Sequence, residues 1–159
     1  MAQSTTGKYK IKNTANGSWS NPPEGVHILK VDNMTAIGKT VNVFTQQWID
    51  SQEEDFLITT LDQNQNPVVV RENVDITVTF IVGKRYASTT IDPQTQFDAF
   101  VSYMTGSDVW IASTYVGKQV HCMALDKVEP KTVKLQRGNN SYILGEITLH
   151  TLNKPTAYT

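Results

Sequence analysis

The sequence predicts a mainly-β α+β fold, an antiparallel β-sandwich or small barrel of about eight strands with one packed helix at about residues 93–105. Three observations predict it. β-Branched residues, which favour strands, make up 47 of the 159 residues. Residues 74–82 alternate between apolar and polar side chains, as in a strand with one buried face. An apolar stripe with helical spacing follows, and it has a capping residue at its start.

The N-terminal part of the chain predicts an extended arm at residues 1–25, because it is poor in apolar residues and rich in Asn, Ser, Gly and Pro. Within this arm, residues 8–12 (Lys-Tyr-Lys-Ile-Lys) are one possible short strand. Beyond it, apolar and alternating runs separated by polar loops at residues 50–54 and 62–67 predict four strands. These strands lie at residues 26–31, 40–49, 56–61 and 68–70.

The strand at residues 74–82 has the clearest pattern. Its apolar face consists of Val74, Ile76, Val78, Phe80 and Val82, and its largely polar face of Asp75, Thr77 and Thr79. Ile81 is the exception on the polar face. A strand with one apolar and one polar face is typical of an antiparallel sheet that buries only one side.

The helix is predicted from its ends and its stripe. Asp92 is a favourable N-cap, and Pro93 has a backbone angle suited to the first helical position. Apolar side chains with spacing i, i+3, i+4 and i+7 indicate a single face that packs on the sheet. They are Phe97, Phe100, Val101 and Met104. Gly106 predicts a left-handed residue that ends the helix.

Two hairpins are predicted after the helix. The first joins strands at residues 108–114 and 119–128, and the second joins strands at 132–136 and 141–152 through Arg137-Gly138-Asn139-Asn140. Residues 153–159 predict a loose C-terminal tail. Because no repeat or break in composition divides the chain, we expect residues 26–152 to form a single β-sandwich domain.

Charge and cysteine content narrow the classes of function. The formal net charge is -1, whereas binding to nucleic acid through its phosphates requires a basic surface. A lone cysteine excludes an intrachain disulfide and a multi-cysteine metal site. No apolar run approaches the length of a membrane span, and the first residues lack the apolar region of a signal peptide. We therefore expect neither recognition of a nucleic-acid sequence nor a membrane partner.

The polar residues predict no catalytic, cofactor-binding or metal site. Three histidines, His27, His121 and His150, lack the spacing of zinc ligands, and the adjacent His121 and Cys122 point to opposite faces of a strand. Cys122 is expected to be a buried small side chain. An enzyme would require an inward-facing Glu146 to converge with His121 or His150, and no spacing in the sequence indicates a partner for Glu146. We therefore expect a protein that is not an enzyme.

Aromatic residues leave a binding alternative open. Trp19, Trp48 and Trp110 could form a sugar-stacking platform on a carbohydrate-binding or adhesin-like β-sandwich. The competing interpretation is that Trp48 and Trp110, which lie in predicted strands, fill the core. A basic cluster, Lys127, Lys131, Lys134 and Arg137, indicates either a solvated sheet edge that blocks strand pairing or a rim that contacts an acidic neighbour.

The order of elements at residues 91–152 resembles a known family. A capped helix, the strand Asp108-Val109-Trp110-Ile111-Ala112-Ser113, a second strand at residues 120–128 and a final hairpin follow the alternating strand 74–82. This order is similar to that of bacteriophage tail tube and distal tail (baseplate ring) proteins. The resemblance covers residues 26–152 at the level of element order.

The resemblance implies a non-enzymatic virion structural protein, synthesised in the host cytoplasm, that assembles into a homo-oligomeric ring and contacts other virion proteins. Its position could be the tail tube, the distal tail or the neck ring. The low charge and the abundant Asn, Gln and Thr fit surfaces that become protein interfaces. The expected assembly contacts lie in a polar loop and in the last hairpin: Asp50, Glu53, Glu54, Arg137, Asn139 and Asn140.

Overall fold

The structure is a computed structural model of the chain. It describes residues 8–37, 40–42, 44–47, 56–59, 63–65, 69–71, 74–87, 89–124, 131–138 and 140–159. Contacts within the chain divide it into two compact units, one formed by Met1–Ile37 with Val74–Thr159 and the other by Gly38–Asn73. No change in composition predicts these boundaries.

The described strands follow in chain order: β1 (Tyr9–Lys12), β2 (Val26–Asp32), β3 (Thr40–Asn42), β4 (Phe44–Gln47), β5 (Phe56–Thr59), β6 (Val69–Arg71), β7 (Asp75–Gly83), β8 (Val109–Ser113), β9 (Lys118–Met123), β10 (Lys131–Arg137), β11 (Asn140–Thr151) and β12 (Thr156–Ala157). The α-helix among the described residues is α1 (Pro93–Thr105), and Lys84–Tyr86 form a 3-10 turn. In the unit Gly38–Asn73, β3 pairs with β6 and β4 pairs with β5, both antiparallel.

The larger unit contains one open antiparallel sheet of eight strands that branches at β11. One edge of β11 pairs with β7 over Tyr142–His150. The other edge is shared, because β10 pairs with its first half and β9 with its last two residues. The order is β1-β8-β9-β11-β7-β2, with β10 on β11 and β12 on β9. The predicted mainly-β fold with one helix is confirmed, and its sheet is open.

Both branches of the sheet bury side chains in one core. Strand β7 contributes the inward residues of its alternating face, and β8, β9 and β11 contribute theirs. Helix α1 packs on this layer through Phe97, Phe100 and Met104, which are buried. The Phe80 ring lies 5.3 Å from the Phe97 ring and 4.7 Å from the Phe100 ring, centroid to centroid. The predicted stripe therefore packs on the sheet, with Val101 half-buried at its margin.

The sequence predicts the start of α1 correctly but not the conformation at its end. Asp92 caps the start, accepting hydrogen bonds from the Thr95 backbone N–H at 3.2 Å and the Thr95 hydroxyl at 2.6 Å. The prediction for Gly106 is wrong, since its φ of -79° and ψ of -24° are right-handed. The Thr105 hydroxyl instead donates to the Val101 carbonyl at 2.7 Å, which satisfies one carbonyl of the last turn without a left-handed residue.

Segments at both ends of the chain belong to the sheet. Within the predicted arm, β1 pairs with β8 from Tyr9↔Ser113 to Lys12↔Trp110, and Ile11 is buried in the core. Within the predicted loose tail, β12 pairs with β9. The possible short strand at residues 8–12 is therefore confirmed as β1, whose Ile11 is buried in the core, whereas no pattern in the sequence predicts β12. The predicted arm thus contributes one strand to the folded unit.

Candidate functional site

The β10–β11 hairpin carries a strand, β10, that is exposed along its described length. Strand β10 is seven residues long and pairs with β11 from Lys131↔Glu146 to Arg137↔Asn140. Every described side chain of the strand, residues 132–137, is exposed. Gly138 has a φ of 63°, as tight hairpin turns require. Arg137 and Asn140 flank the turn, so two of the expected assembly contacts lie at the tip of this hairpin.

The open edge of β10 offers backbone groups for pairing. Opposed residues of an antiparallel pair alternate between those that exchange backbone hydrogen bonds and those that do not. Residues that flank a two-residue turn exchange them, which places Arg137, Leu135 and Val133 among the residues bonded to β11. Lys134 and Gln136 therefore direct their backbone N–H and C=O groups towards the outer edge.

At two other edge strands of the sheet, β1 and β2, local features hinder the addition of a further strand. Beside β1, Ile11 and Ser20 exchange backbone hydrogen bonds of 2.9 and 3.0 Å. Strand β2 shifts register between Ile28 and Lys30, and such a bulge disrupts further pairing. Among the described residues, β10 has neither of these two devices and pairs only with β11. It does carry Lys134 and Arg137, and charged side chains at an edge disfavour pairing with a strand of like charge.

An apolar strip crosses the outer face of the sheet beside this edge. Val133 and Leu135 expose 51% and 45% of their surfaces. Their register partners Leu144 and Tyr142, and Ile81 opposite Leu144, are half-buried on the same face. Exposed apolar side chains grouped in this way mark an interaction surface more often than single ones do. The sequence predicts the hairpin but not the strip, because it does not specify that β7, with Ile81, lies on the other edge of β11.

A cleft lies on the other face of the hairpin, next to the start of α1. Its volume is about 400 Å³, and residues 92–94, 134–136 and 141–143 line it. Lys134, Gln136 and Ile143 share the face of the hairpin that is turned to α1, by strand alternation. The hydrogen bonds from the Thr95 side chain and backbone hold the pKa of Asp92 below its usual value, so this carboxylate is ionised at the cleft. A cleft beside an open edge can take a side chain from an added strand.

The hairpin is basic. Strand β10 contains Lys131, Lys134 and Arg137, and residues 131–145 include no Asp or Glu. The expected contacts Asp50, Glu53, Glu54 and Asn139 lie outside the described residues, as does Lys127 of the basic cluster. The structure thus places Arg137 and Asn140 together at the hairpin tip.

Aromatic and cationic side chains form a row on the outer face of β1 and β8. The Lys12 ammonium lies 4.7 Å from the Trp19 ring centroid and 5.8 Å from that of Trp110. The Trp110 ring stacks on His121 at 4.1 Å. The interpretation of Trp110 as a core residue is wrong, because Trp110 is half-buried on the face opposite Val109 and Ile111. Trp48 lies outside the described residues.

Both tryptophans of this row make ring contacts within the protein. A sugar needs a free aromatic face, but His121 stacks on the Trp110 ring while Lys12 approaches the same ring. Trp19 contacts Tyr158 edge to face at 5.5 Å. Trp19 precedes Ser20, which bridges to β1, and Tyr158 follows β12, which pairs with β9, so this contact joins segments from the two sides of β8.

The histidines lie in separate polar contacts. The His121 Nε2 lies 3.2 Å from an Asp108 carboxylate oxygen, and the His150 Nδ1 contacts Asp75. His27 stacks on Tyr86 at 5.1 Å, and burial, followed by the charge of Lys8, lowers its pKa. Within the described ranges, no group of three or more His, Cys, Asp or Glu side chains could hold a metal ion.

Cys122 is buried, as the sequence predicts, whereas Glu146 lies on the outer face of the sheet. The Cys122 Sγ lies 3.5 Å from the Val109 carbonyl oxygen. Burial, followed by the charge of Asp108, raises the pKa of its thiol to about 12. Glu146 is half-buried on the outer face, since Gly145 and Ile147 beside it point into the core. The carboxylate of Glu146 therefore does not face the core, as an enzyme site built on it would require.

Comparison with known proteins adds no relative: no protein-family model and no curated protein matches the chain. Among the described residues, no helix has the length and apolar character needed to cross a membrane.

Proposed function

We propose that the protein is a non-enzymatic structural protein that assembles with copies of itself, as a component of a phage or prophage tail tube, distal tail or neck ring. The observation that carries this proposal is the open edge of β10, a regular seven-residue strand bordered by the apolar strip. An edge of this kind accepts a further strand, and natural monomers normally blunt it. The position in a virion rests on the resemblance in element order alone.

Strand addition at β10 combines two stabilising contributions. Backbone hydrogen bonds from Lys134 and Gln136 extend the sheet, and burial of the strip removes Val133 and Leu135 from water. Full burial of a fully exposed apolar side chain contributes about 1.5–3 kcal/mol, and Val133 and Leu135, which expose 51% and 45% of their surfaces, each contribute about half of that before the entropy of association is subtracted. Repetition of a head-to-tail contact closes into a ring when the rotation per subunit divides the circle.

The experiment compares two substitutions at one position. Lys134→Pro removes an outward backbone N–H and leaves the bonds to β11 in place, whereas Lys134→Ala removes only the side chain. We expect the wild-type chain to form oligomers by light scattering and rings by negative-stain microscopy. Lys134→Pro should shift the mass to the monomer, and Lys134→Ala should retain at least part of the assembly.

The fold of each variant is checked by circular dichroism and thermal unfolding. A wild-type chain that stays monomeric at all accessible concentrations contradicts the proposal. Oligomers that are unaffected by Lys134→Pro contradict assembly through β10.

A further inference from the structure

We infer that the β10 edge receives the acidic segment Asp50–Asp55 of a second copy of the chain, so that the interface is head-to-tail. This inference rests on the proposed function and specifies the partner of the same surface. The receiving surface, which consists of β10 and its cleft, is made of described residues. The segment itself lies outside the described residues.

Charge disfavours the simplest alternative, a two-fold pairing of β10 with itself. An antiparallel pair centred on Lys134 places Lys134 opposite Lys134 of the second copy, and Lys131 opposite Arg137. Like charges directly opposite each other destabilise a strand pair. No Asp or Glu at residues 131–145 offsets them. The edge that is geometrically suited to pairing therefore disfavours its own copy as a partner.

The chain contains a complementary segment. Asp50, Glu53, Glu54 and Asp55 place four of the fifteen carboxylates within six residues. Opposite charges across an interface favour correct encounter and disfavour wrong partners. Lys134 faces the cleft, whereas Arg137 lies on the opposite face of β10 by strand alternation. Successive side chains of an added strand also alternate between the two faces, so the consecutive carboxylates Glu53 and Glu54 can supply one to each cation. Asp92 at the cleft is already engaged in capping α1, which leaves the hairpin cations for the incoming segment.

The test uses two charge reversals that are complementary. In the first variant, Lys134→Glu and Arg137→Glu reverse the receiving edge; in the second, Glu53→Lys and Glu54→Lys reverse the segment. We expect each variant alone to lose assembly by at least ~10-fold in the concentration required. An equimolar mixture should recover it, because the reversed edge of the first variant can bind the reversed segment of the second, and the original edge of the second can bind the original segment of the first. A chain with all four substitutions should also assemble.

Several outcomes overturn the inference while leaving the proposed function intact. If the wild-type chain assembles and Lys134→Pro blocks it, but Glu53→Lys/Glu54→Lys assembles normally, the segment is not the partner. If the first variant assembles when it is mixed with the wild-type chain but not alone, β10 of one copy pairs with β10 of another across a two-fold axis.

Folding and salt provide the remaining controls. If the lysine variant does not fold, Asp50→Asn/Asp55→Asn tests the same segment by neutralisation. We expect wild-type assembly to weaken between 50 mM and 500 mM NaCl, because charges at an exposed interface are screened over about 10 Å at 0.1 M salt. Assembly that does not depend on salt contradicts the inference. A wild-type chain that never assembles overturns both the inference and the proposed function.

Discussion

Trp110 and His121 stack face to face across β8 and β9, with ring centroids 4.1 Å apart and planes 3° from parallel. Their backbones are paired in register, and Lys12 occupies the neighbouring position on β1. Cross-strand aromatic pairs stabilise a sheet beyond the area they bury. This row of side chains therefore stabilises the branch of the sheet that contains β1, β8, β9 and β12.

A double-mutant cycle measures this contact. We expect Trp110→Ala and His121→Ala each to lower the free energy of unfolding, and the double variant to lower it by less than their sum. The coupling energy should be about 0.5–1.5 kcal/mol, as for other aromatic pairs. Urea unfolding at pH 7.5 gives the four values. Strict additivity would mean that the stacking contributes nothing.

Gly145 on β11 provides a second test, of core packing. A Cβ at this position would lie 2.5 Å from Cε2 of Phe97 and 2.7 Å from Cζ of Phe80. We expect Gly145→Ala to destabilise the protein by about 1–3 kcal/mol, the usual cost of overpacking a core. Thr148→Ala, at an exposed position of the same strand, is the matched control for urea unfolding. Combination with Phe97→Leu should recover part of the loss, and no recovery would contradict the proposed clash.

Ile11 tests whether β1 belongs to the folded unit. Only 1% of its surface is exposed, in a segment whose composition predicts an arm. We expect Ile11→Ala to lower the free energy of unfolding by about 2–5 kcal/mol. Asn13→Ala, at an exposed position just beyond β1, should change it by less than about 0.5 kcal/mol. Equal, small effects of both substitutions in chemical denaturation would show that β1 is dispensable.

The contrast between Ile11 and Phe80 shows what local sequence can predict. The alternation around Phe80 and the stripe around Phe100 repeat over several residues, so each predicts an element and its buried face. Ile11 is buried only because β8 lies beside it, and Trp110 is outward only because β8 pairs in a particular register. Such facts depend on which strands are neighbours, which no local pattern encodes.

In the candidate site, too, the sequence predicts some features and not others. The charges of Lys134 and Arg137 are visible in the sequence and predict an edge or a rim. The outward exposure of Val133 and Leu135 depends on the branch at β11, where β10 becomes a terminal strand. Gly106 illustrates a different limit, because glycine permits a left-handed residue without requiring one.

Asp92 predicts a pH dependence of stability. Its hydrogen bonds from Thr95 lower the pKa of the carboxyl in the folded state. The charge-dependent stabilisation is therefore complete above the ordinary aspartate pKa of about 4 and is lost as the pH falls through the lowered value. We expect Asp92→Ala to reduce the Tm at pH 7, and the difference from wild type to narrow as the pH falls below about 4. Asp92→Asn, which keeps an acceptor, should lose less at pH 7.

Thermal unfolding followed by circular dichroism between pH 2.5 and 7 measures this dependence. A Tm difference between wild type and Asp92→Ala that stays constant over the whole range would contradict a contribution from the ionised carboxylate. A difference that grows at low pH would contradict the direction of the pKa change.

Cys122 predicts how slowly the folded protein reacts with thiol reagents. Because the pKa of its thiol is raised to about 12, the thiolate fraction at pH 8 is on the order of one in 10,000. Burial also denies a reagent access to the Sγ atom. We expect essentially no reaction with a chromogenic disulfide over minutes in buffer, and one thiol per chain after unfolding in urea. Under native conditions the rate should then follow the opening of the core rather than thiolate chemistry, so Ile11→Ala should accelerate it. Rapid labelling of the stable wild-type protein would mean that Cys122 is accessible and that the packing of β8 against β9 differs from the structure described.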